Sequence, residues 1–234
     1  MVLCIETATN LCSVALCSSE GVISLKESTE NKSHASMLTV FIDELLKENG
    51  IRAGELEAVA VGKGPGSYTG LRIGVSVAKG IAYAASLPLI GIETTLTMFW
   101  GMSSRIQNIT NDMRNTLLCP MIDARRMEVY DAIYDVHGRT FREITAEIIS
   151  QSSFEHIPES KRIIFFGDGS AKCKEHIKRK NVYFAEDFRI SASQMQKPVY
   201  QALNKNHVED VAYFEPFYLK DFITSLPRKN ILGN

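Results

Sequence analysis

A chain that repeats itself at a fixed offset is constrained to fold as two versions of one unit. Moving the opening segment along by 117 positions places Glu6 on Asp123, Ala15 on Ala132, Leu16 on Ile133, Gly21 on Gly138 and Ser28 on Thr145 without a gap. Both copies read strand, acidic residue, turn, strand, glycine turn, strand: "VLCIE", "SVALCSS" and "VISLKES" first, then "TLLCPMID", "MEVYDAIYD" and "RTFREIT". Each continues to an apolar run ending in glycine, "AVAVG" and "IIFFG". In the first copy a helix opens at Ser33 and places Met37, Leu38, Phe41, Ile42, Leu45 and Leu46 on one stripe before Gly50 ends it. The stretch from Gln151 to Ser160 is too polar to repeat that helix, so the second copy is shorter. The expectation is an α/β protein of two similar halves facing each other, residues 1–105 and 106–234, with the polar stretch from Ser103 to Asn115 as a link.

Charge excludes some classes of function. With 26 basic residues against 27 acidic ones, no global field draws nucleic acid or an anionic membrane, and any RNA contact must be local. The cysteines Cys4, Cys12, Cys17, Cys119 and Cys173 contain no C-x-x-C and sit mostly in apolar runs, the pattern of buried reduced thiols in a cytoplasmic protein. An acid at Glu6 interrupts any secretory apolar region, and Arg72 and Lys79 interrupt the segment from Leu71 to Ile92, so neither a signal peptide nor a membrane span is expected.

The stretch "VGKGPGSYTGLRIGVSVAKGIA", Val61 to Ala82, has the look of a phosphate loop but satisfies no phosphate motif. A P-loop needs Lys and Ser or Thr after its last glycine, and Gly70 is followed by Leu71. The dinucleotide fingerprint fails at Ser67 and Thr69, and a nucleophile elbow around Ser67 fails at Pro65 and Thr69. What the stretch does encode is a helix from about Thr69 to Ala85 with two apolar faces. Gly70, Gly74, Ala78 and Ala82 form a row of small residues, Ile73, Val77, Ile81 and Ala84 form another, and Arg72, Ser76, Lys79 and Tyr83 make the polar stripe. Two readings fit the small-residue row: enclosure between the chain's own sheet and first helix, or a face on which a second backbone lies closely.

Glu6, Thr7 and Thr9 lie in one interstrand turn, and Asp123 and Arg125 in its counterpart. Paired carboxylates at the heads of two strand pairs can hold a hydrated metal and nucleotide phosphates in a cleft, whereas each acid alone can cap its own turn. Ala8 where close phosphate approach wants glycine, the extra length of Glu6 and the bulk of Arg125 all favour the second reading. No histidine pair has metal-ligand spacing. The run Lys172, Lys174, Lys178, Arg179, Lys180 reads as a solvated face, and Gly167-Asp168-Gly169 as a tight turn and helix entry.

"GKGPGSYTGLRIGVSVAKGIA" resembles the hallmark segment of the TsaB (YeaZ) family, and "CIETAT", "KSHASML", "MIDARRMEVYDAIY", "FFGDGS" and "EPFYLK" resemble its other segments in the same order. The resemblance implies an actin-like ATPase (ASKHA) fold, two RNase H-like halves with mixed sheets flanked by helices. It also implies a non-catalytic partner of the paralogous TsaD enzyme, which with the ATPase TsaE transfers threonylcarbamoyl to N6 of adenosine 37 in ANN-decoding tRNAs, the tRNA being met through the complex. The interface it implies is the helix near His34 and the helix Gly70 to Ala85, with His34, Met37, Leu38, Phe41, Gly70, Ile73, Gly74, Val77, Ala78 and Ile81 as contacts, and homodimers form through related surfaces when TsaD is missing. On that expectation the small-residue row admits a sister chain. Where the paralogue carries a metal-binding H-x-x-x-H, this chain has Thr94 and Met98, so no metal and no cofactor is expected, and Glu6, Thr7, Thr9, Asp123 and Arg125 are read as a vestigial nucleotide cleft. The competing reading is a stand-alone actin-like ATP-binding phosphotransferase or hydrolase.

Overall fold

The computed structural model describes residues 1–29 and 33–220, the side chains of 33 and 34 excepted. The repeated halves appear as two five-stranded sheets. The first is built from β1 (Val2–Glu6), β2 (Cys12–Cys17), β3 (Val22–Ser28), β4 (Ala58–Gly64) and β5 (Leu89–Glu93) in the order β3-β2-β1-β4-β5. The second uses β6 (Thr116–Asp123), β7 (Glu128–Asp135), β8 (Thr140–Ile148), β9 (Arg162–Phe166) and β10 (Val182–Ala185) in the order β10-β9-β6-β7-β8. Strand for strand the two orders coincide. β1 pairs antiparallel with β2 and parallel with β4, and β6 does the same with β7 and β9. The glycine turns recur as well, with Gly138 in the positive-φ conformation at the β7–β8 turn.

Period-two alternation explains the layers. Leu3 and Ile5 of β1 point to one face of the first sheet, where Val14, Leu16, Val59 and Val61 join them under α1 (Ser33–Glu48) and α2 (Tyr68–Ala85). Val2 and Cys4 point to the other face. There the cover comes from the far end of the chain: Ala192 and Met195 in a 3-10 turn and Val199 in a C-terminal helix, Gln196–Asn204. The expected second unit, 106–234, therefore does not keep all its residues to itself. An apolar sheet face with no helix of its own has recruited them, and Phe214 continues onto the first face.

A helix that the periodicity did not announce, α3 (Thr94–Ser103), joins the halves. Its Met98, Phe99 and Met102 pack on the second sheet, while Leu96 reaches the cores of both. The other face of the second sheet is covered by Phe154, Ile157, Cys173 and Ile177, and residues 151–157 form turns as their polarity implied. The helix entry after Gly167 is a single turn, α4 (Ser170–Cys173), which makes the C-terminal helix α5. All five cysteines are buried and free.

The most demanding packing lies under the start of α2. Ser67 caps the helix by accepting from the Gly70 amide at 3.3 Å and donates its own amide to the Ala8 carbonyl at 2.6 Å. The Thr7 hydroxyl donates to the Gly70 carbonyl at 2.8 Å. A methyl group at Gly70 would overlap the Thr7 carbonyl oxygen, and one at Gly74 the Thr7 hydroxyl, whereas nothing lies within 4 Å of the position at Gly80. Gly70→Ala is therefore expected to cost about 3 kcal/mol or more through overpacking, while Gly80→Ala stabilises by about 0.5–1 kcal/mol through helix propensity. Urea unfolding midpoints measured for both variants check the opposed signs.

Candidate functional site

The paired acids diverge in the structure. Glu6 ends β1 fully buried, its Oε1 accepting from the Ala8 amide at 2.7 Å and its Oε2 left without a partner beside Gly62. Burial outweighs the two backbone hydrogen bonds and lifts its pKa to about 7. Thr7 is equally buried and committed to Gly70. Asp123 is exposed at the end of β6, bonded through its amide to Asp168 at 3.1 Å, accepting from the Arg125 amide at 2.8 Å and paired with Lys172. Arg125 and its neighbour Arg126 sit at positive φ in the turn. Each acid holds its own turn, the reading that Ala8, the length of Glu6 and the bulk of Arg125 favoured. Of Glu6, Thr7, Thr9, Asp123 and Arg125 only Thr9 lines the cavity between the sheets.

That cavity encloses about 150 Å³ between the β1–β2 turn (Thr9, Asn10, Leu11) with Thr29 on one side, and Gly167, Asp168 and Phe188 to Ile190 on the other. Met98 of α3 closes it. Thr94 and Met98 are both buried, and a hydroxyl and a thioether are not the donors a divalent iron or zinc site requires, so the residues present do not fit the paralogue's metal. A larger surface groove of about 560 Å³ runs from Lys63 and Glu93 to Lys205, His207 and Glu209, and none of the residues expected at the site lines it.

The expected interface divides in the same way. Leu38, Phe41, Gly70, Gly74 and Ala78 are buried against the chain's own core, so the small-residue row is filled by its own β1 tail and sheet, and its reading as a seat for a sister chain is corrected. The physical reason is the Thr7–Gly70 contact: the row admits a backbone, and that backbone belongs to the same chain. Met37, Ile73, Val77 and Ile81 remain half-buried, with Val40, Gly80, Tyr83 and Ala84 exposed around them. The side chain of His34 lies outside the described residues. Lys79, assigned to the polar stripe, is drawn inward and donates to the Phe214 carbonyl at 2.8 Å.

Sequence reasoning missed two charged groups. Asp131, fully buried on β7, pairs with Arg142, which also donates to Glu147 at 2.7 Å, and burial lifts the Asp131 pKa to about 7 against the pull of that guanidinium. Its register opposite Thr145 of β8 placed it on an inward face, a signal that strand alternation carries. Arg179, read as part of a solvated basic run, is buried and donates to the carbonyls of Ile157 and Pro158, both at 2.6 Å, closing the turns at 151–157.

Residues 27–225 match the family described as "TsaD: tRNA N6-adenosine threonylcarbamoyltransferase". The chain belongs to that family, in its TsaB (YeaZ) branch. The "tRNA threonylcarbamoyladenosine biosynthesis protein TsaB" of Escherichia coli (strain K12) is 36% identical over 133 residues, 57% of this chain and 54% of that protein. The protein of the same name from Haemophilus influenzae is 28% identical over 95% of this chain and 94% of its own length. "YeaZ from Pseudomonas aeruginosa" superposes with a TM-score of 0.78 over 93% of this chain and 99% of that one, at 23% identity. The fold is the actin-like ATPase (ASKHA) fold, two mixed sheets flanked by helices, as the TsaB resemblance implied.

Glu6 makes this TsaB-branch chain sensitive to pH. Because its folded pKa is raised, the unfolded state loses its proton first as pH rises; the penalty is absent below about 4.3 and grows until about pH 7. Glu6→Gln removes it. Denaturation of both proteins at pH 5 and pH 8 is expected to show the variant gaining about 2 kcal/mol on the parent between the two values.

Proposed function

We propose that this chain serves threonylcarbamoyladenosine synthesis on tRNA as a non-catalytic cytoplasmic scaffold that binds a TsaD-type transferase, with a TsaE-type ATPase joining the complex. The observation that carries the reading is the half-exposed apolar stripe on α2, where Ile73, Val77 and Ile81 lie beside Gly80 and Ala84, with Met37 and Val40 of α1 alongside. A stripe of this kind, with no bulk at Gly80, suits helix-on-helix packing at 8–10 Å. The names carried by the relatives support the pathway. The buried Glu6 and the side chains at Thr94 and Met98 argue against a phosphotransferase site in this chain. Among the described residues no helix is long and apolar enough to cross a membrane. In the absence of the transferase, the same stripe is the surface through which homodimers form, and tRNA is met through the complex.

Reconstitution with purified TsaD- and TsaE-type proteins, tRNA and threonylcarbamoyl-adenylate tests the role: modification is expected to need this chain, and full modification without it would overturn the reading. Gly80→Arg probes the surface without touching the core, since its side chain enters open space in the isolated protein. It is expected to weaken binding to the TsaD-type partner at least about 100-fold, equivalent to about 3 kcal/mol, with the melting temperature within a few degrees of the parent. Unchanged affinity by surface plasmon resonance would move the interface elsewhere.

A further inference from the structure

The cavity between the sheets carries opposite charges that do not meet. Asp168 and Arg189 both line it, yet no ion pair joins them, and the Arg189 guanidinium has no carboxylate partner among the described residues. The Asp168 carboxylate accepts from the Asp123 amide at 3.1 Å and from its own amide and that of Gly169, and has no cationic partner among the described residues. Four lining side chains are apolar and buried, Leu11, Met98, Phe188 and Ile190, and the polar remainder of the wall, Thr9, Asn10 and Thr29, is partly or fully exposed.

Size narrows the ligand. Sites for drug-sized molecules enclose about 300–1,000 Å³, and an apolar cavity of about 150 Å³ holds something close to benzene. A nucleotide is too large for a cavity of about 150 Å³. What matches is a short branched hydrocarbon for the buried wall, with an ammonium and a carboxylate for the acidic and basic residues on the exposed part of the lining. We propose that this cavity binds a free L-α-amino acid with a branched aliphatic side chain, its ammonium on Asp168, its carboxylate on Arg189 and its side chain against Leu11, Met98, Phe188 and Ile190. Burial holds the Asp168 carboxyl above the usual carboxylate range although the residue as a whole keeps exposed surface, and an ammonium there relieves the unpaired charge in a partly dry setting. Because the walls come from loops of both sheets, the bound molecule ties the two halves together. The site is separate from the α2 stripe and does not depend on the scaffold reading.

Titration calorimetry on the full-length chain tests it with L-leucine, L-valine, 4-methylpentanoate (no ammonium), 3-methylbutylamine (no carboxylate) and ADP. At least one of the two amino acids is expected to bind at millimolar concentrations or below, with both truncated analogues at least about tenfold weaker, as loss of a charge-assisted hydrogen bond implies. Asp168→Asn, whose amide oxygen can still accept from Asp123, and Arg189→Gln should each weaken binding at least about tenfold at unchanged melting temperature. Absence of heat with both amino acids, affinity unaffected by either substitution, or binding of ADP in their place would each overturn the proposal.

Discussion

The rest of the molecule depends on the close seating of the first turn of α2 on the tail of β1. Two hydrogen bonds, Ser67 amide to Ala8 carbonyl at 2.6 Å and Thr7 hydroxyl to Gly70 carbonyl at 2.8 Å, are possible only because side chains are missing at Gly70 and Gly74. Beside that contact Glu6 is buried against Gly62 of β4 and stripped of water, which is why the acid at the head of the first strand pair becomes a structural liability as pH rises from about 4.3 towards 7. It also uses up one side of α2, leaving Ile73, Val77, Gly80 and Ile81 as the side that can meet another protein.

Duplication gives the molecule its two sheets, but the halves have taken different courses at the matched turns. In the first, the acid is buried and the turn is gripped by α2; in the second, Asp123 is exposed, paired with Lys172 and followed by arginines at positive φ. The space between them is consequently small and lined by Met98, Phe188 and Ile190, with charge at Asp168 and Arg189.

Much of the architecture was legible in the sequence because strand alternation, glycine turns and the repeat are local signals. Strands β1 to β3 and β6 to β8, the helix ending before Gly50 and the helix starting by Thr69 all came from patterns a few residues long. The links were not. α3 is buried nearly all round, its threonines Thr94, Thr95 and Thr97 as well as Met98, Phe99 and Met102, so it has no stripe to read, and the return of Ala192 to Val199 onto the first sheet is a tertiary choice set by an uncovered face. The site was read in outline and misassigned in detail. Periodicity showed that α2 had two apolar faces, but only the backbone path of β1 decides which face it fills, and five of the expected contacts, Leu38, Phe41, Gly70, Gly74 and Ala78, proved internal. Asp168 and Arg189 were reachable only through the fold, since 21 positions separate them and the cavity they line is completed by the β1–β2 turn of the other half.

Native-state hydrogen exchange at the Ser67 amide tests most directly whether the glycine-rich stretch is locked onto its own chain. Enclosure by the Ala8 carbonyl predicts that in the isolated chain, with neither ATP nor a partner protein added, this amide already exchanges only through global unfolding. Exchange through a low-energy local opening, or protection that arises only when ATP or the partner is added, would show that the stretch is built to receive a ligand or a neighbour and would contradict the account.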